Sequence, residues 1–269
     1  RGLGDVYKRQ DTDADTGERL PKRMAQADPM EQSPTSNHRW SGSRVGITGA
    51  RGALGQALAS RFQQAGAVVT GFTHGDPPSG TDGPVDHWVS WSCGQEEALM
   101  PHLENLDVLV LNHGINPQGD QRPGTMSKAL EVNALSSWRM LQCCERLCRE
   151  QSTQTFEVWV NTSEAEIQPA VSPAYELSKR LLGQLVSVRG ATRSAEERSQ
   201  LVLRKLVLGP FRSELNPIGV MTADFVAGQV LWQARMGGRL IIVTPNPLTY
   251  VLMPLTEVGR RLYSRALSR

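Results

Sequence analysis

The chain has 269 residues, of which 39% are hydrophobic and 21% charged, a length and apolar content that suffice for one large domain with a buried core. A net charge of +2 offers no electrostatic footprint for nucleic acid. No run of about 18 apolar residues is present, which argues against a membrane-spanning helix, and no apolar segment near the start marks a secretory signal. The four cysteines, Cys93, Cys143, Cys144 and Cys148, lack the paired C-x-x-C spacing of a metal site. No metal is expected, and buried free thiols in a reducing cytoplasm are the simplest reading.

The first 40 residues are polar, rich in Asp, Arg, Gln, Ser and Pro, and without sustained apolar periodicity, so a disordered N-terminal segment is expected over 1–42. Within it, Asp5-Val-Tyr-Lys-Arg-Gln10 matches the translation of a transposon adapter used in preparing sequencing libraries. Residues 1–10 are accordingly expected to be a cloning scar on a fragment of environmental origin, with Met24 or Met30 as the natural start.

From Arg44 onward strands and helices alternate. Val45 to Ile47 reads as a first strand, followed by Thr48-Gly49-x-x-Gly52-x-x-Gly55 and a helix carrying Leu54, Ala57, Leu58 and Phe62. Such a turn bares backbone N–H groups at a helix N-terminus, where they can hold a pyrophosphate. Gly49 would permit the tight turn, Gly52 close approach of a ligand and Gly55 close packing of helix on strand; alone, the motif is equally an ordinary tight turn. Further strands are expected at 67–72, 87–92, 106–111, 156–160, 201–208 and 240–243. Helices are expected at 95–103, 128–150, 174–188 and 222–236, with a polar insertion at 190–200. Unbroken apolar strands alternating with helices predict an α/β chain, a doubly wound parallel sheet in three layers forming a single domain over 43–247.

In an open parallel sheet, ligands bind beyond the carboxyl ends of the strands. There stand Asn112-His113-Gly114 after the fourth strand and Asn161-Thr162-Ser163 after the fifth, then Tyr175-Glu-Leu-Ser-Lys179. Tyr175 and Lys179, at i and i+4, share one helix face. A lysine ammonium beside a phenol lowers its pKa, so the phenol can exchange a proton with a carbonyl or alcohol, and a serine hydroxyl at the same point stabilises the reacting oxygen. The plain alternative is a surface helix pair.

On these residues, together with Asn133 in Val-Asn-Ala, the sequence resembles the short-chain dehydrogenase/reductase family over about residues 43–245. The resemblance implies a Rossmann fold with Tyr175 as catalytic acid/base and Lys179 lowering its pKa while holding the nicotinamide ribose. Ser163 would orient the substrate carbonyl and Asn133 would support a water relay. Thr162 is an alternative to Ser163, because the serine lies one residue nearer the tyrosine than is commonest in the family. Cofactor contacts are implied for Thr48, Gly49, Arg51, Gly52, Leu54, Gly55, Thr73, His74, Asn112, His113, Gly114, Tyr175, Lys179 and Pro210. His113 replaces a small residue of the family pattern and either crowds the nicotinamide pocket or is a hydrogen-bonded structural histidine. The family's Pro-Gly after the sixth strand is reversed here as Gly209-Pro210, and 211–221 would form a substrate lid.

Thr73 and His74 occupy the place of the acidic residue that would hold a ribose 2′-hydroxyl, while Arg51 lies in the glycine turn, where the family uses a basic residue for a 2′-phosphate. NADP(H) is therefore the preferred cofactor and NAD(H) the alternative. The implied activity is hydride transfer between nicotinamide and a carbonyl or secondary alcohol. A non-catalytic NAD(P)-binding sensor or scaffold, and an extended-type epimerase or dehydratase, stand as alternatives.

Phrases such as Trp159-Val-Asn-Thr-Ser-Glu-Ala-Glu166 and Leu208-Gly-Pro-Phe-Arg-Ser-Glu-Leu-Asn-Pro-Ile-Gly219 also resemble the dehydrogenase half of bacterial bifunctional sterol desaturase/short-chain dehydrogenase proteins. The five histidines are scattered, with no di-iron boxes for a desaturase half. Glu164 and Glu166 are expected in a solvated loop or, alternatively, at a polar group of the substrate. The tail 248–269 mixes apolar residues with Arg260, Arg261, Arg265 and Arg269. It suits contact with an anionic membrane surface or packing on the domain or on a second subunit of a homo-oligomer. A cytoplasmic protein, free or peripheral to a membrane, is the expectation.

Overall fold

The computed structural model describes residues 38–78, 83–120, 122–150 and 155–267. The adapter-like residues and nearly all of the polar leader lie outside the described residues. Seven strands form one sheet: β1 Arg44–Thr48, β2 Val68–Thr73, β3 His87–Ser90, β4 Val108–Leu111, β5 Phe156–Ser163, β6 Leu201–Leu208 and β7 Leu240–Val243. Every neighbouring pair is parallel, in the order β3-β2-β1-β4-β5-β6-β7. The order reverses between β1 and β4, which opens a crevice beyond their carboxyl ends.

The helices are α1 Ala53–Gln64, α2 Met100–Leu103, α3 Thr125–Leu130, α4 Ser136–Glu150, α5 Pro173–Thr192, α6 Ala195–Gln200, α7 Ala223–Arg235 and α8 Thr249–Leu267. On one face of the sheet, Leu58 and Phe62 of α1 and Val226 and Val230 of α7 pack with Ile47 and Trp159. On the other, Met140 and Leu141 of α4 and Leu182 and Val186 of α5 pack with Leu111 and Val160. All four residues of β4 are buried, as an apolar run covered by helices on both faces requires. The three-layer doubly wound architecture is as the sequence indicates.

Several elements differ from the expectation. The core starts ahead of residue 43: Trp40 is 2% exposed and packs edge-on against Phe62 and Trp159, at 5.5 and 6.0 Å between ring centroids. The helix expected at 95–103 is a 3-10 turn, Glu96–Leu99, followed by the single turn α2 with Pro101 near its start. The helix expected at 128–150 begins at Thr125 and contains a π turn, Glu131–Leu135, between α3 and α4. The expected polar insertion is instead the end of α5 and the short α6, which is started by a capping box between Ser194 and Glu197. Among the described residues, no helix is long and apolar enough to cross a membrane, and no cluster of metal-ligating side chains forms.

Candidate active site

The turn after β1 is shaped by its glycines. Gly49 has φ +64°, and a Cβ there would stand 2.9 Å from the His113 Cα. A Cβ on Gly55 would overlap the Gly49 carbonyl, so α1 leaves the sheet at van der Waals contact with the turn. Gly52 differs: a Cβ there would meet nothing nearer than the Gly49 oxygen at 3.5 Å, so the space before it is open. Gly52 is the N-cap of α1 and no side chain caps the helix. The backbone donors of its first turn are therefore available to an anion. Arg51 is exposed beside them and forms no ion pair among the described residues. His74 is also exposed; its Nδ1 lies 2.8 Å from the Trp91 carbonyl and its ring stacks on Trp91 at 4.7 Å.

Three residues expected at the cofactor turn their side chains inward. Thr48 is fully buried and its hydroxyl donates to the Val110 carbonyl while accepting from the Asn112 amide at 2.8 Å, which ties β1 to the exit of β4. Thr73 is 4% exposed and its hydroxyl donates to the His74 carbonyl. His113 is buried, with Nδ1 2.8 Å from the Thr48 hydroxyl and Nε2 3.5 Å from Ser137. Burial, aided by the charges of His74 and Lys179, pushes its pKa down to about 3. The structural reading of His113 is thus the one its contacts support. Leu54, also named as a cofactor contact, is 3% exposed and belongs to the core against α7.

At the end of β5, the Ser163 hydroxyl accepts the Ala165 amide at 3.1 Å and lies near enough to the Tyr175 phenol to pull its pKa down. Thr162 instead donates its hydroxyl to the Leu206 carbonyl of β6, at 3.1 Å. Serine, rather than threonine, meets the tyrosine. Tyr175 and Lys179 do share a face of α5, where the lysine nitrogen stands 5.9 Å from the phenol ring centroid. Lys179 is 5% exposed and donates to the Asn161 carbonyl at 2.9 Å. Burial pushes its pKa down to about 8, against the pull of Glu166. The Tyr175 phenol is raised, first by burial and then by the charge of Glu164, with Ser163 opposing. The expected depression of the phenol by the lysine is not what the arrangement gives: the ammonium leans on a backbone carbonyl.

Asn133 sits in the π turn, fully buried. Its amide group brackets Ile115, accepting that residue's N–H at 2.7 Å and donating to its carbonyl at 2.9 Å, and donates to Ser178 of α5 at 2.8 Å. It therefore fixes the loop after β4 to α5, and Gly114 passes so near that a Cβ there would be 3.0 Å from its Oδ1. Asn112 donates to the Gly49 carbonyl and accepts from Asn161 at 2.9 Å, which links the exits of β1, β4 and β5. Pro210 is half-buried, and its carbonyl accepts the amides of Val220 and Met221 to close the segment 211–221 into a loop.

The same sheet and layers recur in solved structures. They match a short-chain dehydrogenase from Sphingobium yanoikuyae in complex with NADPH with a TM-score of 0.67 and 16% identity, over 82% of this chain and 95% of that one. For a Burkholderia cenocepacia short-chain dehydrogenase in complex with NADP the values are 0.66 and 17%, over 84% and 98%. For ligand-free aldohexose dehydrogenase of Thermoplasma acidophilum they are 0.64 and 17%, over 78% and 95%. The fold is that of the short-chain dehydrogenases.

No family model matches the sequence. A monoglucosyldiacylglycerol epimerase of Synechocystis sp. is 39% identical over 234 residues, which are 85% of this chain and 55% of the relative. The chain thus spans about half the length of that relative. Within this short-chain dehydrogenase fold, two site features escape the sequence reading. Asn161, whose carbonyl holds Lys179, acts through its backbone and leaves no side-chain signature. Glu166 is neither solvated nor open to substrate: it is 7% exposed and paired to Lys205 at 2.6 Å. Glu164 does lie at the site, half-buried, where it accepts a hydrogen bond from the Thr244 hydroxyl.

Proposed function

We propose that this chain is a member of the short-chain dehydrogenase/reductase family, an NAD(P)(H)-dependent oxidoreductase acting on a carbonyl or secondary alcohol. The observation that carries the reading is the convergence of Ser163, Tyr175 and Lys179 at the carboxyl end of β5, beside the uncapped turn of α1. A dinucleotide fits this crevice: the open space at Gly52 admits a pyrophosphate to the first-turn amides, and Lys179 would hold the nicotinamide ribose. Arg51 and His74, both exposed at that end, suit a 2′-phosphate and favour NADP(H) over NAD(H). Bound nicotinamide would supply or accept the hydride. Tyr175, held as a neutral phenol, would donate the proton as a carbonyl is reduced, and Ser163 would steady the reacting oxygen.

Titration with NADPH and NADH, followed by nicotinamide fluorescence and thermal stabilisation, tests the cofactor. Arg51→Ala is expected to weaken NADPH while leaving NADH nearly unchanged; equal loss for both would refute the 2′-phosphate role. Tyr175→Phe is expected to cost about 10²–10⁴-fold in turnover with NADPH binding intact. Unchanged turnover in that variant would favour a sensor or scaffold that binds nucleotide without chemistry.

One observation favours a second reading, inversion of a hydroxyl-bearing carbon by oxidation and re-reduction on one bound nucleotide. Glu164 gives the site a carboxylate suited to sugar hydroxyls, while Leu215, Ile218 and Val220 of the 211–221 loop are exposed, as an amphipathic substrate would require. The epimerase named above supports a glucosyl lipid as that substrate. Incubation with a monoglucosyl lipid and NADP+ would give a changed sugar stereochemistry without net NADPH; accumulation of NADPH would mean simple oxidation. We also infer peripheral membrane contact through α8, whose outward side is apolar.

A further inference from the structure

Away from the crevice, a second cavity of about 150 Å³ opens between the C-terminal half of α5 and α8. Tyr175 and Ser187 lie on one helix, twelve residues apart, so at about 1.5 Å per residue the cavity stands about 18 Å along α5 from the phenol. Its walls carry Arg193, Arg198, Arg239, Arg261 and Arg265, and Lys205 forms its floor. The lining includes one acid, Glu257, and that carboxylate is engaged by Lys205 at 2.9 Å. Arg239, Arg261 and Arg265 are exposed and make no ion pair among the described residues. Arg193 is 4% exposed, and its Nε is buried without a hydrogen-bond partner.

Lys205 is satisfied by carboxylates, and Arg193 and Arg198 donate to backbone carbonyls, so Arg239, Arg261 and Arg265 are the groups open to an anion; planar guanidinium groups match the oxygens of a phosphate. The neighbouring surface says what carries that phosphate. Leu248, Val251, Leu255, Val258 and Leu262 of the α8 region are each more than half exposed, while the inward side holds Met253 together with Thr249, Glu257 and Arg260. The helix therefore turns its apolar side to the outside, with Arg261 and Arg265, one turn apart, both at the cavity. Apolar side chains bordered by unpaired arginines are complementary to an anionic bilayer surface.

We propose that the cavity seats the phosphate of an anionic membrane lipid while the outward side of α8 enters the headgroup boundary. The lipid source rests on the membrane contact inferred above; the phosphate chemistry does not. Co-sedimentation of the whole chain with vesicles of phosphatidylcholine, with and without phosphatidylglycerol, tests it. Wild type should bind the anionic vesicles more tightly, and Arg239→Ala and Arg261→Ala should each lose about fivefold on those vesicles alone. Arg146→Ala, outside the cavity, should bind as wild type, and Leu255→Ser with Leu262→Ser should lose both vesicle types. Arginine variants that bind like wild type would overturn the cavity while leaving membrane contact standing. Apolar variants that bind like wild type would overturn membrane contact. Inorganic phosphate that stabilises wild type but not Arg239→Ala, without vesicle binding, would overturn the lipid source. A dimer abolished by Leu255→Ser, again without vesicle binding, would show that a second copy covers α8 and overturn the proposal. Turnover of Arg239→Ala should equal wild type, which separates this outcome from failure of the oxidoreductase reading.

Discussion

Lys179 and His113 are both buried basic groups with lowered pKa values, and the two govern different pH limits. The Lys179 ammonium is present below about pH 8 and lost above it. If it holds the nucleotide, NADPH affinity should fall as pH rises through 8, a trend that a fluorescence titration at several pH values would reveal or refute. For stability the sign is opposite: between 8 and the ordinary lysine value of 10.5 the unfolded chain binds the extra proton, so this group makes stability rise with pH there. His113 acts at the acid end. Its folded pKa of about 3 lies below the ordinary 6.5, so in that window the unfolded state again binds more protons, and stability falls as pH falls. A tenfold difference in proton affinity between the folded and unfolded states is worth about 1.4 kcal/mol. His113→Asn should therefore lose less Tm than wild type between pH 6.5 and 4, and equal slopes in thermal melts would show that the imidazole is not the titrating group.

Helix α5 owes its seat to a buried ion pair. Lys205 of β6 donates to Glu166 at 2.6 Å, to Ser187 at 2.8 Å and to Glu257 of α8 at 2.9 Å, so one ammonium joins strand, turn and two helices. Gly183 lies against it, and a Cβ there would overlap the Glu166 carboxylate. Removing one partner of such a pair leaves a buried charge uncompensated, so Lys205→Met should destabilise by about 3–5 kcal/mol in denaturant melts, and Gly183→Ala should destabilise by pushing the Glu166 carboxylate off its seat. A loss under about 1 kcal/mol would mean that water already reaches the pair. None of this is visible locally in sequence, because Glu166 and Lys205 are 39 positions apart and Glu166 stands in a short polar turn. The strands were legible, since β4 is an unbroken apolar run, β6 is apolar on either side of Arg204 and Lys205, and the turn glycines mark where β1 ends. The face shared by Tyr175 and Lys179 followed from helical spacing alone. The π turn was not legible, because one extra residue does not disturb apolar periodicity over a short window, and neither was α6, whose six residues are all at least partly exposed. Inward rotation of Thr48, Thr73 and His113 depends on which neighbour each meets, and motif position does not encode that.

At the scale of the molecule, one parallel sheet separates two apolar layers that share no side chain except through the strands. Their joint stability rests on burying both sides of β1, β4, β5 and β6, so neither layer persists alone. Deleting α8 would remove Met253 from its small cluster with Val207 and Ile242 and leave Lys205 without Glu257. Truncation before Thr249 should therefore lower Tm as well as any membrane binding; an unchanged melting curve would show that α8 only rests on the domain. The buried tryptophans divide between the layers. Trp40 and Trp159 touch in one, whereas Trp91 lies in the other with its ring 5.1 Å from that of His113 and 4.7 Å from that of His74, beside the crevice. The protein thus carries a separate light source on each side of its sheet, so emission lost in Trp159→Phe reports one layer and emission lost in Trp91→Phe reports the other, the latter placed to pass its excitation to any reduced nicotinamide that docks nearby.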